Sequence, residues 1–127
     1  MFKRILLLFL IISSFFILSG CNSSKYKEEA GKYELYSMTG DLNMSMYKSY
    51  TIELQASGTF TVKTTYTQNT QIYEGHGTFS IEDEKIKLIS SNGDQTVTEE
   101  YDYIDNEIIM DTTISGYTFV AKFKRTE

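Results

Sequence analysis

From Gly31 onward the chain alternates apolar and polar positions with a period of two, the pattern of strands buried on one face. The first segment, GKYELYSM (31–38), sets Tyr33 and Leu35 on one side. Residues 40–48, GDLNMSMYK, show no alternation and read as a long first loop, with room for a helical turn carrying Met44, Met46 and Tyr47. The second segment, YTIELQ, sets Tyr50, Ile52 and Leu54 against Thr51, Glu53 and Gln55. Beyond the Ser57-Gly58 turn, TFTVKTTYT sets Phe60, Val62 and Tyr66 against Thr59, Thr61, Lys63 and Thr65. The fourth segment, QIYEGHGTFSIE, carries Tyr73, Phe79 and Ile81 in phase with Gly75 and Gly77. Two glycines on an inward face predict a bend or the close approach of another backbone. Asp83-Glu84 leads to KIKLIS, with Ile86 and Leu88, and Asn92-Gly93 is a strong hairpin signal. The sixth segment, 96–104, aligns Val97, Tyr101 and Tyr103. Asp105-Asn106 turns into EIIMDT, and Ser115-Gly116 into YTFVAKFK, which sets Tyr117, Phe119, Ala121 and Phe123 on one face.

Those are eight consecutive strands with short connections. Parallel neighbours need crossovers of about a dozen residues, and the spacing leaves no room for them. The expected fold is all-β, an antiparallel up-and-down meander. Closure of strand one onto strand eight would remove two exposed edges, so a small barrel is expected. A rolled sheet that stops short of closure, or a sandwich, is the alternative.

The N-terminal part has a different pattern. MFKR brings two cations and no acid, and residues 5–18 are apolar except for Ser13 and Ser14. Fourteen positions are too few for the roughly 20 residues of a membrane-spanning helix. They suit the hydrophobic region of a helical signal peptide. The stretch ends Leu18-Ser19-Gly20-Cys21, which resembles the lipobox of bacterial lipoproteins at each of its four positions. The resemblance implies that Leu18, Ser19 and Gly20 are read by the signal peptidase. It also implies that Cys21 is lipidated on sulfur and becomes the new N-terminus. Two acyl chains anchor stably where one is marginal. The expected organisation is a signal peptide at 1–20, lipidated Cys21 with a flexible tether to residue 30, and the barrel at 31–125. The polar run 22–30 spans at most ~30 Å.

Cys21 is the sole cysteine of 127 residues, so the domain holds together by packing alone. Loss of Lys3 and Arg4 with the leader takes the net charge from −5 to −7. An acidic surface argues against nucleic acid as a partner and against an electrostatic grip on anionic lipid. Proline and tryptophan are absent, and the ten tyrosines all follow the cleavage point.

No residue constellation announces catalysis, and the chain reads as a non-enzyme. His76 stands alone between two glycines, without the spacing of a zinc site, and reads as an exposed strand histidine. No nucleophile elbow, phosphate loop or calcium loop is present, and no cofactor is implied. The acids at 82–84 and at Glu99, Glu100, Asp102, Asp105 and Glu107 fall near hairpin ends, where solvated charge is expected. Tyr33, Tyr50, Tyr66, Tyr73, Tyr101, Tyr103 and Tyr117 fall on apolar faces, either packed in the core or lining a cavity. Of these, Tyr33, Tyr50, Tyr66, Tyr73, Tyr101 and Tyr117 are the candidate ligand-binding residues.

A second resemblance concerns the barrel. Gly31-Lys32-Tyr33 is similar to the Gly-x-Trp opening of lipocalin-like (calycin) barrels, with Tyr replacing Trp. AGKYELYSMTG looks like the first strand of small lipocalin-like domains in Gram-positive lipoproteins. That likeness implies a cation among Lys122, Lys124 and Arg125 closing over the first-strand aromatic. The expected function is a binding module, held on the extracytoplasmic face of the cell membrane, for a small apolar ligand or envelope component. The alternative is a protein-binding accessory factor with a filled barrel, using Met38, Met44, Met46 and outward tyrosines.

Overall fold

The computed structural model describes residues 25–69 and 71–126. The leader and the Cys21 motif lie outside these residues. Eight strands follow one another: β1 (Gly31–Gly40), β2 (Tyr47–Leu54), β3 (Thr59–Tyr66), β4 (Ile72–Glu82), β5 (Lys85–Asn92), β6 (Gln95–Ile104), β7 (Glu107–Ile114) and β8 (Tyr117–Arg125). Each pairs antiparallel with the next, and β1 pairs with β8 from Tyr33↔Arg125 to Gly40↔Phe119, closing the barrel. The closed up-and-down barrel is therefore the architecture that the alternation predicts, and the rolled sheet and sandwich are set aside.

The turns follow their residue types. Asp83 and Glu84 sit at φ 52° and 60°, and Asp105 and Asn106 at 54° and 62°, the left-handed pair that a two-residue hairpin requires. Ser115 and Gly116 do the same at 53° and 85°.

Two β-bulges alter the predicted first loop. An extra residue at Tyr36 shifts the β1–β8 register between Leu35 and Ser37, and one at Lys48 shifts β2–β3 between Tyr47 and Ser49. Each bulge adds a residue to one strand and breaks the period of two. Strands β1 and β2 therefore extend into 40–48, and only a 3-10 turn at Met44–Met46 interrupts them. The bulge in β2 also turns Tyr47 and Tyr50 to the same face, three positions apart.

The core fills the lower half of the barrel. Tyr33, Ile52, Leu54, Ile86, Ile108, Ala121 and Phe123 are almost wholly buried, with Phe60, Phe79, Leu88, Tyr101 and Phe119 beside them. The floor is closed by residues 25–30, the second half of the expected tether. Tyr26 is buried, its ring centroid lies 4.7 Å from that of Phe79, and its N–H donates to the Ala56 carbonyl at 3.0 Å. The Tyr26 carbonyl accepts from the amides of Glu29 and Ala30 at 3.2 and 2.9 Å. A polar, unpatterned run thus docks through one aromatic, and the free span shortens accordingly.

Tyr33 ties this strap to the barrel. Its hydroxyl donates to the Glu29 carbonyl at 2.6 Å and meets the Tyr103 hydroxyl at 2.6 Å. Arg125 donates to the carbonyls of Glu28 and Ala30. Of the three C-terminal cations, Arg125 is the one that comes near Tyr33, where it opposes the rise in the hydroxyl's pKa caused chiefly by burial. Lys124 lies instead over the Tyr36 ring, 5.2 Å from its centroid.

Candidate functional site

The opposite end of the barrel is built differently. Pairing between β4 and β5 runs from Glu82↔Lys85 to Thr78↔Ile89 and then stops. Pairing between β6 and β7 runs only from Ile104↔Glu107 to Asp102↔Ile109. The β5–β6 hairpin itself stays paired to Asn92↔Gln95. Among the described residues, its upper half therefore has no ladder on either flank. It stands away from the wall as a two-stranded flap, and every side chain described from Gln95 to Glu100 is exposed.

Gly75 and Gly77 mark the place where β4 leaves β5. They have different reasons to be glycine. A Cβ on Gly77 would lie 2.1 Å from the Ile89 carbonyl oxygen and 2.6 Å from the Phe60 ring, so this is the close backbone approach. A Cβ on Gly75 would meet nothing within 4 Å. It faces a cavity of about 200 Å³ lined by Tyr50, Ile52, Phe60, Val62, Leu88, Ser90, Glu99 and Met110. A groove of about 600 Å³ on the outer surface meets Phe60, His76 and Gly77 from the other side. Phe60 and His76 belong to both linings.

Tyrosines descend from the rim toward this cavity. The ring centroids of Tyr73 and Tyr66 are 5.3 Å apart, those of Tyr66 and Tyr47 5.2 Å, and those of Tyr47 and Tyr50 5.3 Å. Tyr50 then packs edge-on to Phe123 at 4.9 Å. A rim cleft of about 410 Å³ lies between Tyr66, Tyr73, Met46 and Ser45. Burial pushes the Tyr50 hydroxyl well above its ordinary pKa, with smaller contributions from Tyr47 and the Glu99 carboxylate. Burial likewise raises Tyr101, reinforced by the hydrogen bond its hydroxyl donates to Glu99 Oε2. Both phenols are neutral donors at neutral pH.

The six candidate tyrosines part company. Tyr50, Tyr66 and Tyr73 meet in the descending series, and Tyr101 joins through Glu99. Tyr33 belongs to the floor. Tyr117 sits exposed on β8, across the mouth. Sequence reasoning missed Tyr47, hidden by the bulge, and Glu99, grouped with solvated acids. Glu99 pairs with Leu88 across the β5–β6 ladder, and directly paired residues share a face, so its side chain points inward while remaining in contact with water. The signal was available: Glu99 lies between Val97 and Tyr101 at the same parity. The other acids behave as expected, with Asp102 bound to Lys85 and Glu107 to Tyr36 on the outside. His76 is exposed, its Nε2 3.3 Å from Glu74.

No protein-family profile matches this chain, and no curated protein does. Solved structures do resemble it. One is a mutant of the fluorescent protein UnaG, with a TM-score of 0.47 and 9% identity, covering 79% of this chain and 97% of that one. Another is described as the REP1-NXSQ fatty acid transporter, with a TM-score of 0.46 and 15% identity, covering 80% of this chain and 98% of that one. Likeness at this level carries no weight for function.

Proposed function

We propose that this chain is a membrane-anchored extracytoplasmic lipoprotein whose barrel is a binding module for a small apolar ligand or envelope component. The observation that carries the binding reading is the cavity behind Gly75. Its walls are mainly apolar, a few polar groups converge on it, and it lies where the β4–β5 ladder has ended. Ligand sites combine those features. Native mass spectrometry of detergent-extracted protein should show a non-covalent adduct that an added apolar probe displaces. Bare protein, with no probe bound on titration, would contradict the reading.

The anchor rests on the Leu18–Cys21 motif at the end of a basic-then-apolar leader. Cells fed a fatty-acid analogue should label the wild type, and Cys21→Ala should remain unlabelled and uncut. Label on the Cys21→Ala protein would rule out lipidation at this residue.

One observation favours protein binding as a second reading. Met44, Met46, Ile72, Tyr73, Ile114 and Tyr117 are exposed together around the mouth, and Met and Tyr suit adaptable interfaces. Alanine replacements there that abolish a cross-linked envelope partner, without affecting probe binding, would support it.

A further inference from the structure

Apolar pockets for amphiphiles also select the polar end of their ligand. Among the described residues the polar inventory of this cavity is short: Tyr50, Ser90, Glu99 and His76. No lysine or arginine is among the described residues that line it. His76 points outward toward Glu74, and its side chain is 66% exposed. The Lys63 and Lys85 side chains stand on the outer face, in register with Glu74 and Asp102. Arg125 is committed to the floor carbonyls. Among the described residues, the one carboxylate on the cavity wall is Glu99. Tyr101 occupies its Oε2, and no protein group among the described residues bonds Oε1.

A carboxylate ligand would have to bring its charge beside Glu99 with no lining cation to offset it, and like charges repel. A cation gains from the same geometry. Glu99 supplies the counter-charge, and the Tyr50 ring on the same cavity wall supplies the negative quadrupole that attracts organic ammonium groups. Removing water on ligand entry strengthens both effects. The acidic balance of the whole chain, 17 acids against 12 lysines and arginines, also raises the local concentration of cations.

We infer that the barrel selects amphiphilic organic cations, alkylammonium or arylammonium compounds, over fatty acids, with Glu99 as the charge-recognising residue and Tyr50 as the aromatic wall beside it. This rests on the binding-module reading above and names the ligand class of the same site.

The test uses three six-carbon probes titrated calorimetrically into the full chain in detergent: hexyltrimethylammonium, hexanoate and hexan-1-ol. The ammonium compound should bind about tenfold or more tightly than hexanoate, the change expected from one charge-assisted contact. Glu99→Gln should lower its affinity about tenfold and leave hexanol within about twofold. Wild-type affinity for the cation, unlike that for hexanol, should fall as salt rises, a readout that needs no variant to fold. Gly75→Leu, which places a side chain in the cavity, should block all three probes. Hexanoate binding as tightly as the cation, or cation affinity indifferent to both salt and Glu99→Gln, would overturn the charge selection while leaving the binding module standing. Cation binding that survives Gly75→Leu would overturn the site. If none of the three probes binds, the binding-module reading fails, and the charge selection with it.

Discussion

Gly75 and Gly77 occupy the same face of the same strand, two residues apart, and adding one methyl group should have opposite effects at the two positions. At Gly77 the new Cβ would lie 2.1 Å from a carbonyl oxygen and 2.6 Å from a ring carbon. The first neighbour is backbone, so β4 and β5 must move apart where they are last paired, at Thr78↔Ile89. Forced overpacking of this kind costs about 1–3 kcal/mol, and loss of the last rung brings the expected value to about 2–3 kcal/mol. At Gly75 the Cβ enters open space, and its backbone is not in the left-handed region. Gly→Ala at such a compatible site stabilises by about 0.4–1 kcal/mol through the unfolded chain. The two single variants should therefore differ by about 3 kcal/mol. Urea unfolding followed by circular dichroism reads this directly. With a slope of about 1–3 kcal/mol/M, the midpoints should separate by about 1–3 M, Gly75→Ala above wild type and Gly77→Ala below. Slopes should stay equal, since neither change alters how much surface unfolding exposes. Coincident midpoints, or the reverse order, would refute the close approach at Gly77 and the open space at Gly75.

Two further outcomes concern the buried phenols. Tyr33→Phe removes both 2.6 Å contacts at the floor, leaving the Glu29 carbonyl short of a donor. It should cost about 1–3 kcal/mol, and an unchanged urea midpoint would contradict the floor network. Burial raises the pKa of Tyr33, Tyr50 and Tyr101 in the folded barrel. In the unfolded chain they titrate near 10. Their contribution is thus complete below about pH 10 and is lost as pH rises, at about 4 kcal/mol per pH unit for three groups. Phenolate absorbance should appear together with unfolding, and a urea midpoint that stays flat from about pH 9 to 11 would contradict it.

The architecture could be read from the alternation because turn chemistry and period agreed at nearly every hairpin, as at Asp105-Asn106 and Ser115-Gly116. Departures arose where one residue broke the period. The bulge at Lys48 made Tyr47 look like loop, although it is part of the tyrosine series. Glu99 was set aside because charge outweighed parity, yet its rung opposite Leu88 turns it inward. Docking of Tyr26 left no periodic trace, since a lone aromatic in a polar run has none. The splaying of the β5–β6 flap was equally hidden. Pairing partners are a property of the closed sheet, and the flap's own sequence alternates like any paired strand.

The strap across the floor would also set an orientation for a chain lipidated at Cys21, as proposed above. Cys21 is four residues from Lys25, a reach of at most ~14 Å. A lipid on that cysteine would hold the closed end of the barrel close to the bilayer. The mouth would then stand off by the barrel's own height, roughly 20–25 Å for tilted strands of this length. That is two to three screening lengths at physiological salt, so charged lipid headgroups would have little influence on what enters. A cargo would arrive from the far side of the barrel, without first dissolving in the leaflet that holds the protein.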